Sequence, residues 1–340
     1  MKVVQGLDAP ELDLPCSSLT IGNFDGVHCG HQQIIAQAGL LAANIAAPTV
    51  VLTFEPHPIT ILRPDQAPAR LTPLPEKLER LRAAGADLVV VAEANRALLS
   101  LEAPRFVERV VARLHPAHIV EGRSFRFGAG RSGTSETLAD LGRLHGFNVF
   151  IVDPVRLQVD PDTTVEVSSS LIRTLIGQGR VHRASLCLGR RYALVGDVVG
   201  GHGRGRGLGF PTANLDACDQ LIPGDGVYAG FAWLEGESSD EARRWPAAIS
   251  IGVNPTFAGA SGPSARPERR VEAHLLGPEA EMYGRRLRLE FGIRLRDQKK
   301  FDSPQALSNQ IARDVEAVRR HADEQAAESA PRAAATGDSF

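Results

Sequence analysis

The hydrophobic period of this chain changes once, near Arg191, and the change confines it to two architectures in series. From Leu19 to about Leu188, short aliphatic runs alternate with amphipathic stretches. The runs are Leu19–Gly22, Thr49–Phe54, Asp87–Ala92, Ala117–Glu121 and Asn148–Val152. Between them lie Gln32–Ala46, Pro75–Ala84, Ala103–Leu114 and Ser135–His145. In the third stretch Phe106, Val110, Val111 and Leu114 share one helical face, away from Arg105, Glu108 and Arg109. Aliphatic strands separated by helices require a parallel sheet covered on both faces. The first half therefore reads as a doubly wound α/β unit. Beyond Arg191 the period falls to two. In Arg286–Leu295, Leu287, Leu289, Phe291, Ile293 and Leu295 alternate with Arg286, Arg288, Glu290 and Arg294, as in an antiparallel strand with one wet face. Tyr192–Val199, Val227–Leu234, Ala247–Val253 and Val271–Leu276 read as further strands between Gly/Pro-rich turns, which makes the second half a small barrel or sandwich.

One helix closes the second half. Ser303 can cap it, Pro304 suits its first position, and Leu307, Ile311, Val315 and Val318 form its stripe. The expected organisation is residues 1–186, residues 187–320 and a disordered tail over 321–340, which is rich in alanine and polar residues. Charge narrows the partners. Thirty-eight Lys and Arg against 40 Asp and Glu give a net charge of −2, too near neutrality to single out nucleic acid or an anionic membrane. Lysine occurs only at Lys2, Lys77, Lys299 and Lys300, none of them after a glycine-rich loop, so any nucleotide site must hold phosphate without a P-loop lysine. Cys16, Cys29, Cys187 and Cys218 lie too far apart in sequence for a zinc motif or a disulfide framework. No apolar run approaches the roughly 18 residues of a membrane span, and Met1–Pro10 has no signal-peptide pattern. A cytoplasmic protein is the expectation, as a monomer or weak homo-oligomer with small-molecule partners and neither nucleic acid nor membrane.

The first chemistry-bearing segment runs from Gly22 to His31 (G-N-F-D-G-V-H-C-G-H), between the first strand and the first helix, where a parallel sheet presents its ligand edge. Gly22, Gly26 and Gly30 allow a bound group close to the backbone. Asn23, Phe24 and Asp25 lie in the same turn and are expected, with these glycines, among the ATP phosphate contacts. His28 and His31 are three apart and stack over the first helical turn, where free N–H groups favour anions. Two imidazoles there can donate to phosphate oxygens. In Ser168-Ser169-Ser170-Leu171-Ile172-Arg173, one serine can cap a helix while another hydroxyl and Arg173 face phosphate. Phe54-Glu55-Pro56-His57-Pro58 ends the second strand at the same edge. A glycine-rich loop carries Phe125, Arg126 and Phe127.

In the second half, Gly203-Arg204-Gly205-Arg206-Gly207 lies in a glycine-dense turn whose N–H groups can cradle phosphate. Thr212 and Asn214 follow with oxygens suited to Mg²⁺. Glu272 points to the same side as His274, opposite Val271, Ala273 and Leu275. A carboxylate there can take the proton of a primary hydroxyl; on that segment alone, a solvated strand residue is the better reading.

In order, G-N-F-D-G-V-H-x-G-H, T-F-E-P-H-P, F-R-F-G-x-G-R-x-G and S-S-S-L-I-R resemble the amino-terminal module of bacterial bifunctional riboflavin kinase/FAD synthetase, within the HxGH nucleotidylyltransferase superfamily. G-x-G-R-G-x-L-G-F-P-T-A-N, G-V-Y-A, I-G-V-N-P-T-F, V-E-A-H-L-L, M-Y-G and K-F-D-S resemble its kinase module. The chain departs from the family pattern at Arg123-Ser124, where two aspartates are frequent, at Ser170 and Gly207, where threonine is common, and in a lengthened Gly259–Glu268 loop. The resemblance implies a six-stranded antiparallel barrel with a terminal helix behind the α/β domain. It implies Mg²⁺ and ATP, with riboflavin, FMN and FAD as substrate and product. Glu272 is then the base, Thr212 and Asn214 lie near Mg·ATP, and His28, His31 and Arg173 act on the leaving pyrophosphate. Ser168, Ser169 and Ser170 with Gly203–Gly207 would hold ATP phosphates, and His57, Pro58, Phe125, Arg126 and Phe127 the flavin. A kinase-only enzyme with a flavin-binding or structural first domain is the alternative.

Overall fold

The computed structural model describes residues 1–12, 14–200, 209–217, 219–236, 244–253, 269–277 and 282–329. Two compact units emerge. The first comprises residues 1–173 with 186–189 and 219–221. The second comprises residues 174–185, 190–218 and 222–340.

The first unit is built on a six-stranded parallel sheet. Its strands are β1 (Lys2–Gln5), β2 (Ser17–Ile21), β3 (Thr49–Glu55), β4 (Leu88–Glu93), β5 (Pro116–Gly122) and β6 (Asn148–Val152), in the order β1-β4-β3-β2-β5-β6. Strand alternation feeds two cores. Val50, Leu52, Leu88 and Val90 pack on one face with Phe106, Val110 and Leu138; Val51, Val89 and Val91 pack on the other with Phe24, Ile35 and Leu81. The flanking helices are α1 (Cys29–Asn44), α2 (Pro58–Leu62), α3 (Leu74–Ala83), α4 (Arg96–Leu99), α5 (Ala103–Leu114) and α6 (Ser135–His145). A hairpin, β7 (Arg156–Asp160) with β8 (Thr163–Glu166), precedes α7 (Ser169–Gly177) and α8 (Val181–Leu188). The edge strand β1 and this hairpin are short and mostly polar or exposed, and hydrophobic periodicity gave no sign of them.

The strand order reverses between β2 and β5, the place where such sheets open a crevice. There the ladder pairs Leu19 with Ile119 and goes no further. Two residues on, the Glu121 side chain replaces a backbone partner, its Oε1 accepting the Ile21 N–H at 2.6 Å. Glu121 is buried, and that burial pushes its carboxyl well above the usual carboxylate range against the pull of the Ile21 N–H and the Thr20 hydroxyl.

The second unit is a closed antiparallel barrel in the order β10-β13-β12-β11-β14-β9. Its strands are β9 (Tyr192–Val199), β10 (Ala213–Asp216), β11 (Gly226–Leu234), β12 (Trp245–Val253), β13 (Arg269–Leu275) and β14 (Arg286–Arg296). Tyr228, Ile249, Ile251, Ala273, Leu287, Leu289 and Phe291 are fully buried. The other side of β14 corrects the expectation of a wet face. Arg288 and Glu290 are buried there, because Arg288 lies over the Trp233 ring and near Glu235 while Glu290 pairs with Arg191 and Arg244. The closing helix α9 (Pro304–Ser329) starts as expected, with the Ala306 N–H donating to Ser303 Oγ. It does not stop at 320. Asp314, Val315, Val318 and His321 continue one buried stripe, and the His321 ring fills the space that a side chain at Gly292 would take. The disordered tail expected from 321 is therefore helix through Ser329. Alanine, glutamate and glutamine sustain a helix without the apolar periodicity that would announce it. No helix among the described residues is long and apolar enough to cross a membrane.

A carboxyl held above its unfolded pKa contributes stability that is present at low pH and lost as pH rises through its folded value. Glu121→Gln keeps the acceptor for Ile21 without that titration. By calorimetry we expect the variant to melt higher than wild type, with a gap that widens from pH 5 to pH 8 to at least about 2–4 °C. A gap independent of pH would refute the assignment.

Candidate functional site

The loop from Gly22 to His28 leaves β2 through backbone that few side chains tolerate. Phe24 and Val27 have φ of 47° and 39°, and Gly26 has φ of 88°. A β-branched residue in the left-handed region is strained, at a cost of about 1–3 kcal/mol, and persists only where its surroundings hold it. They do so here. Gly26 N–H donates to Thr72 Oγ1 at 3.1 Å, Gln32 Nε2 donates to the Val27 carbonyl at 2.8 Å, and Thr53 Oγ1 donates to the Asn23 carbonyl at 3.3 Å. The tightest hold is Asp25. Its buried carboxylate accepts the N–H groups of Leu71 and Thr72 at 3.0 and 3.2 Å and pairs with Arg173.

The strained loop delivers His28 as the N-cap of α1, with Nδ1 accepting from the His31 N–H at 3.4 Å. The two imidazoles stack, centroids 3.6 Å apart and planes 18° from parallel, and the Phe24 ring meets His31 edge-on at 5.1 Å. Gly30 makes the stack possible, since a Cβ there would stand 3.2 Å from His28 Cε1. Burial, then the neighbouring His28 and Lys77, pushes His31 well below the ordinary imidazole value. His31 is thus neutral near pH 7, and its Nδ1 is buried with no hydrogen-bond partner in the described structure.

The other expected segments converge on this turn, several in parts different from those expected. Ser168 caps α7 through the Leu171 N–H, and Ser169 Oγ donates to the Asp25 carbonyl at 2.8 Å. Arg173 Nε donates to the Ala69 carbonyl at 3.0 Å while its Nη2 holds Asp25. Asp25, expected among the phosphate contacts, is instead the anchor of the turn, and a carboxylate saturated by donors repels phosphate. Phe24 likewise buries its ring beneath His31, and a Cβ at Gly26 would stand 2.9 Å from Leu71 Cδ1; these small and aromatic residues serve the loop's own packing. His57 caps α2 at the Ile59 N–H, and its Nε2 lies 3.2 Å from the Asn23 amide, with Pro58 at the first helical position. Burial lowers the His57 pKa, with Asp25 opposing. Phe127, expected at the flavin, is core. It is buried against Phe106 and stacks on the partly exposed Phe125, and the next turn returns at Gly133, where a Cβ would strike the Phe127 ring. Arg126 is exposed. Arg123, where the family pattern has acid, pairs with Asp153 on the surface.

Arg70, Thr72 and Lys77 escaped the sequence reading, and Glu55 was read only as part of its segment. Glu55 at the end of β3 pairs with Arg70 and lies 3.8 Å from Lys77. Burial lowers the Lys77 pKa while Glu55 opposes that effect. Thr72 and Arg70 come from a connection without a motif; a buried lysine two residues after Pro75, in the first turn of a helix, carries no local signal.

In the barrel, strand pairing does the assembly. Asn214 on β10 stands directly opposite Glu272 on β13, although 58 positions separate them. Their neighbours Leu215, Val271 and Ala273 are buried in the barrel wall, which puts Asn214 and Glu272 on its outer, polar side. Thr212 precedes β10, and its segment is tied to β13, where His274 Nδ1 lies 2.8 Å from the Pro211 carbonyl and the His274 ring meets Phe210 edge-on. Gly203, Arg204, Gly205, Arg206 and Gly207 lie outside the described residues.

A polyanion arriving at His31 favours its charged form, so nucleoside triphosphate binding to the first unit at pH 7 should draw protons from solution. Titration calorimetry in buffers of different ionisation enthalpy measures this directly. Uptake is expected in wild type and not in His31→Asn; proton release, or uptake equal in both, would show that the ring is not the group that titrates.

Comparison with known proteins agrees with this two-part layout. Residues 12–170 match the family model for FAD synthetase, and residues 188–322 match that for riboflavin kinase. The bifunctional riboflavin kinase/FMN adenylyltransferase of Pseudomonas fluorescens is 35% identical over 320 residues, covering 94% of this chain and 97% of the relative. The Escherichia coli (strain K12) protein of the same description is 34% identical over 316 residues, covering 92% and 96%. A crystal structure from Streptococcus pneumoniae, described as a macrolide-efflux protein, superposes with a TM-score of 0.79 at 28% identity over 94% of this chain and 99% of that one. With both modules matched in order and nearly the full length aligned, the chain belongs to the bifunctional riboflavin kinase/FMN adenylyltransferase family.

Proposed function

We propose that the chain runs two consecutive ATP-dependent reactions at separate sites, riboflavin to FMN on the barrel and FMN to FAD on the α/β unit. The observation that carries this is the presence of two unrelated constellations in one chain. One is the stacked His28–His31 pair with Arg173 tied to the same loop. The other is the Asn214–Glu272 pair across the barrel wall. Both matched family models support the two-reaction reading over a kinase with a silent first domain.

On the barrel, Glu272 accepts the proton of the ribityl 5′-hydroxyl as its oxygen attacks the γ-phosphorus of ATP; ADP leaves and FMN forms. Such transfers depend mainly on positioning and charge neutralisation. Thr212 and Asn214 offer neutral oxygens, the donor set that Mg²⁺ accepts when phosphates supply the negative ligands. Among the described residues no group of three or more His, Cys, Asp or Glu could hold a metal ion. When bound, Mg²⁺ supplies charge neutralisation at the phosphates. On the α/β unit, a phosphate oxygen of FMN attacks the α-phosphorus of a second ATP, and the bond to pyrophosphate breaks. The nucleophile is already an anion, so no base is required. What the site must supply is positive charge on the leaving group. His28 and His31 take that part at the helix N-terminus, and Arg173, whose orientation Asp25 fixes, turns its remaining N–H groups to phosphate. His57, Pro58 and Phe125 lie on the flavin side of this scheme. The cytoplasm is the compartment that supplies both substrates.

Chromatography of products from riboflavin plus Mg·ATP tests the whole reading, with FAD expected and FMN alone refuting it. The two sites separate by substitution. His28→Ala should lower FMN adenylylation about 10²–10³-fold and leave riboflavin phosphorylation intact. Glu272→Gln should lower phosphorylation about 10²–10⁴-fold and leave adenylylation intact. Loss of both activities in either variant, with thermal unfolding unchanged, would overturn the two-site assignment.

A further inference from the structure

The barrel register places a third polar side chain beside Glu272. Asn214 faces Glu272 across the β10–β13 pair, and Ser250 faces it from the other side across β12–β13. Directly opposed residues on antiparallel strands share a face, with Cβ atoms about 4.5–5.5 Å apart. Ile249 and Ile251, on either side of Ser250, are fully buried, which turns the serine to the same outer side as Glu272. Its hydroxyl is also held. Gln298, two residues past β14, donates from Nε2 to Ser250 Oγ at 2.9 Å and to the Ile251 carbonyl at 2.9 Å. An amide N–H on one lone pair of the oxygen leaves the hydroxyl proton to be donated elsewhere. No acceptor for that proton is found within the described structure.

The order of the row assigns the acceptor. Asn214 lies on the phosphate side of Glu272, and the hydroxyl that attacks phosphorus lies at Glu272. The remainder of the acceptor molecule must extend away from the phosphate, and Ser250 is the residue met next in that direction. We propose that Ser250, oriented by Gln298, donates a hydrogen bond to a ribityl hydroxyl next to the one phosphorylated, and so selects a polyol-bearing flavin as phosphoryl acceptor. This rests on Glu272 being the base. A site built to bond a hydroxyl discriminates against an acceptor lacking it far more strongly than an apolar pocket does.

The test is steady-state phosphorylation by the full chain with riboflavin, 3′-deoxyriboflavin and 4′-deoxyriboflavin. Wild type, Ser250→Ala, Ser250→Thr and Glu272→Gln are compared, with FMN adenylylation by each as the folding control. With riboflavin, Ser250→Ala should lower kcat/KM about tenfold and change KM for ATP less than about twofold. Ser250→Thr, which keeps the hydroxyl, should restore at least half of the loss. With 4′-deoxyriboflavin, wild type and Ser250→Ala should be equal, because the partner hydroxyl is already gone. An equal loss with riboflavin and both analogues would make Ser250 merely structural and overturn the proposal, as would an unchanged kcat/KM for riboflavin. If Glu272→Gln keeps wild-type phosphorylation, the base assignment itself falls. If Glu272→Gln is inactive while Ser250→Ala is indifferent to the analogue, only the serine's role falls.

Discussion

The Asp25 carboxylate holds the first site together. It accepts backbone N–H groups from Leu71 and Thr72 and the guanidinium of Arg173, joining three stretches of chain that are remote in sequence. A buried ion pair does not by itself stabilise a fold, because desolvation offsets much of the attraction. Its value here is geometric. The loop from Phe24 to Val27 carries left-handed residues that would relax if released, and Asp25 is the atom group around which donors from both sides close. Removing the carboxylate would take from half-buried Arg173 its charge partner and from the strained turn its strongest hold. The Ser169 hydroxyl on the Asp25 carbonyl completes the closure, so the residues that cap α7 also fix the turn that starts α1.

Once the turn is fixed, electrostatics follow from burial. His31 lies against His28 and under the influence of Lys77, and both imidazoles cannot carry charge in that stack without an anion. Glu55 is the counterweight, pairing with Arg70 and close to Lys77. The site thus collects cationic groups while keeping two carboxylates occupied by specific partners. Such a cluster gains more from a bound polyphosphate than a surface patch of the same charge would, since its dielectric surroundings are lower. In place of a P-loop lysine, the proposed phosphate site has histidines at a helix N-terminus, of which His31 is held neutral by burial.

Much of this was legible in the sequence, for a physical reason. Periodicity marked α5 and α6 to the residue and most of the buried strands, because those elements bury one continuous face. The spacing of His28 and His31 put them on one side of a helical turn, and Glu272 alternated with its buried neighbours. What stayed hidden depends on side chains meeting across the fold. Asp25 looked like a phosphate contact because its turn leads into a helix N-terminus; only Leu71, Thr72 and Arg173 together reveal an anchor. Phe127 looked like a ligand-stacking aromatic until Gly133 brought the chain back over it. Glu121 ended an ordinary strand pattern, with nothing local to show that its carboxyl replaces a ladder bond. Arg288 and Glu290 kept the alternation of a wet face because the groups that bury them, Trp233, Arg191 and Arg244, lie on other strands or beyond them. Helix α9 runs past 320 on alanine, glutamate and glutamine, whose propensity carries no amphipathic signal.

The two units solve the same problem, holding polyphosphate against a reacting oxygen, by means that follow from their architectures. A parallel sheet ends all its strands at one edge, so a strand-to-helix turn gathers N–H groups and imidazoles at a point, and the proposed catalytic set is local in sequence apart from Arg173. An antiparallel barrel has no such edge. Its functional groups must line up along the wall, one per strand, and register alone decides which residues become neighbours. Asn214, Glu272 and Ser250 lie on three adjacent strands in one row, and a slip of one residue in either pairing would turn a member of the row into the barrel core. The barrel core is therefore the part of the second unit that sets the geometry of the proposed site. Ile249, Ile251, Val271 and Ala273 fix the register by filling the interior, and the polar row on the outer side is aligned as the consequence.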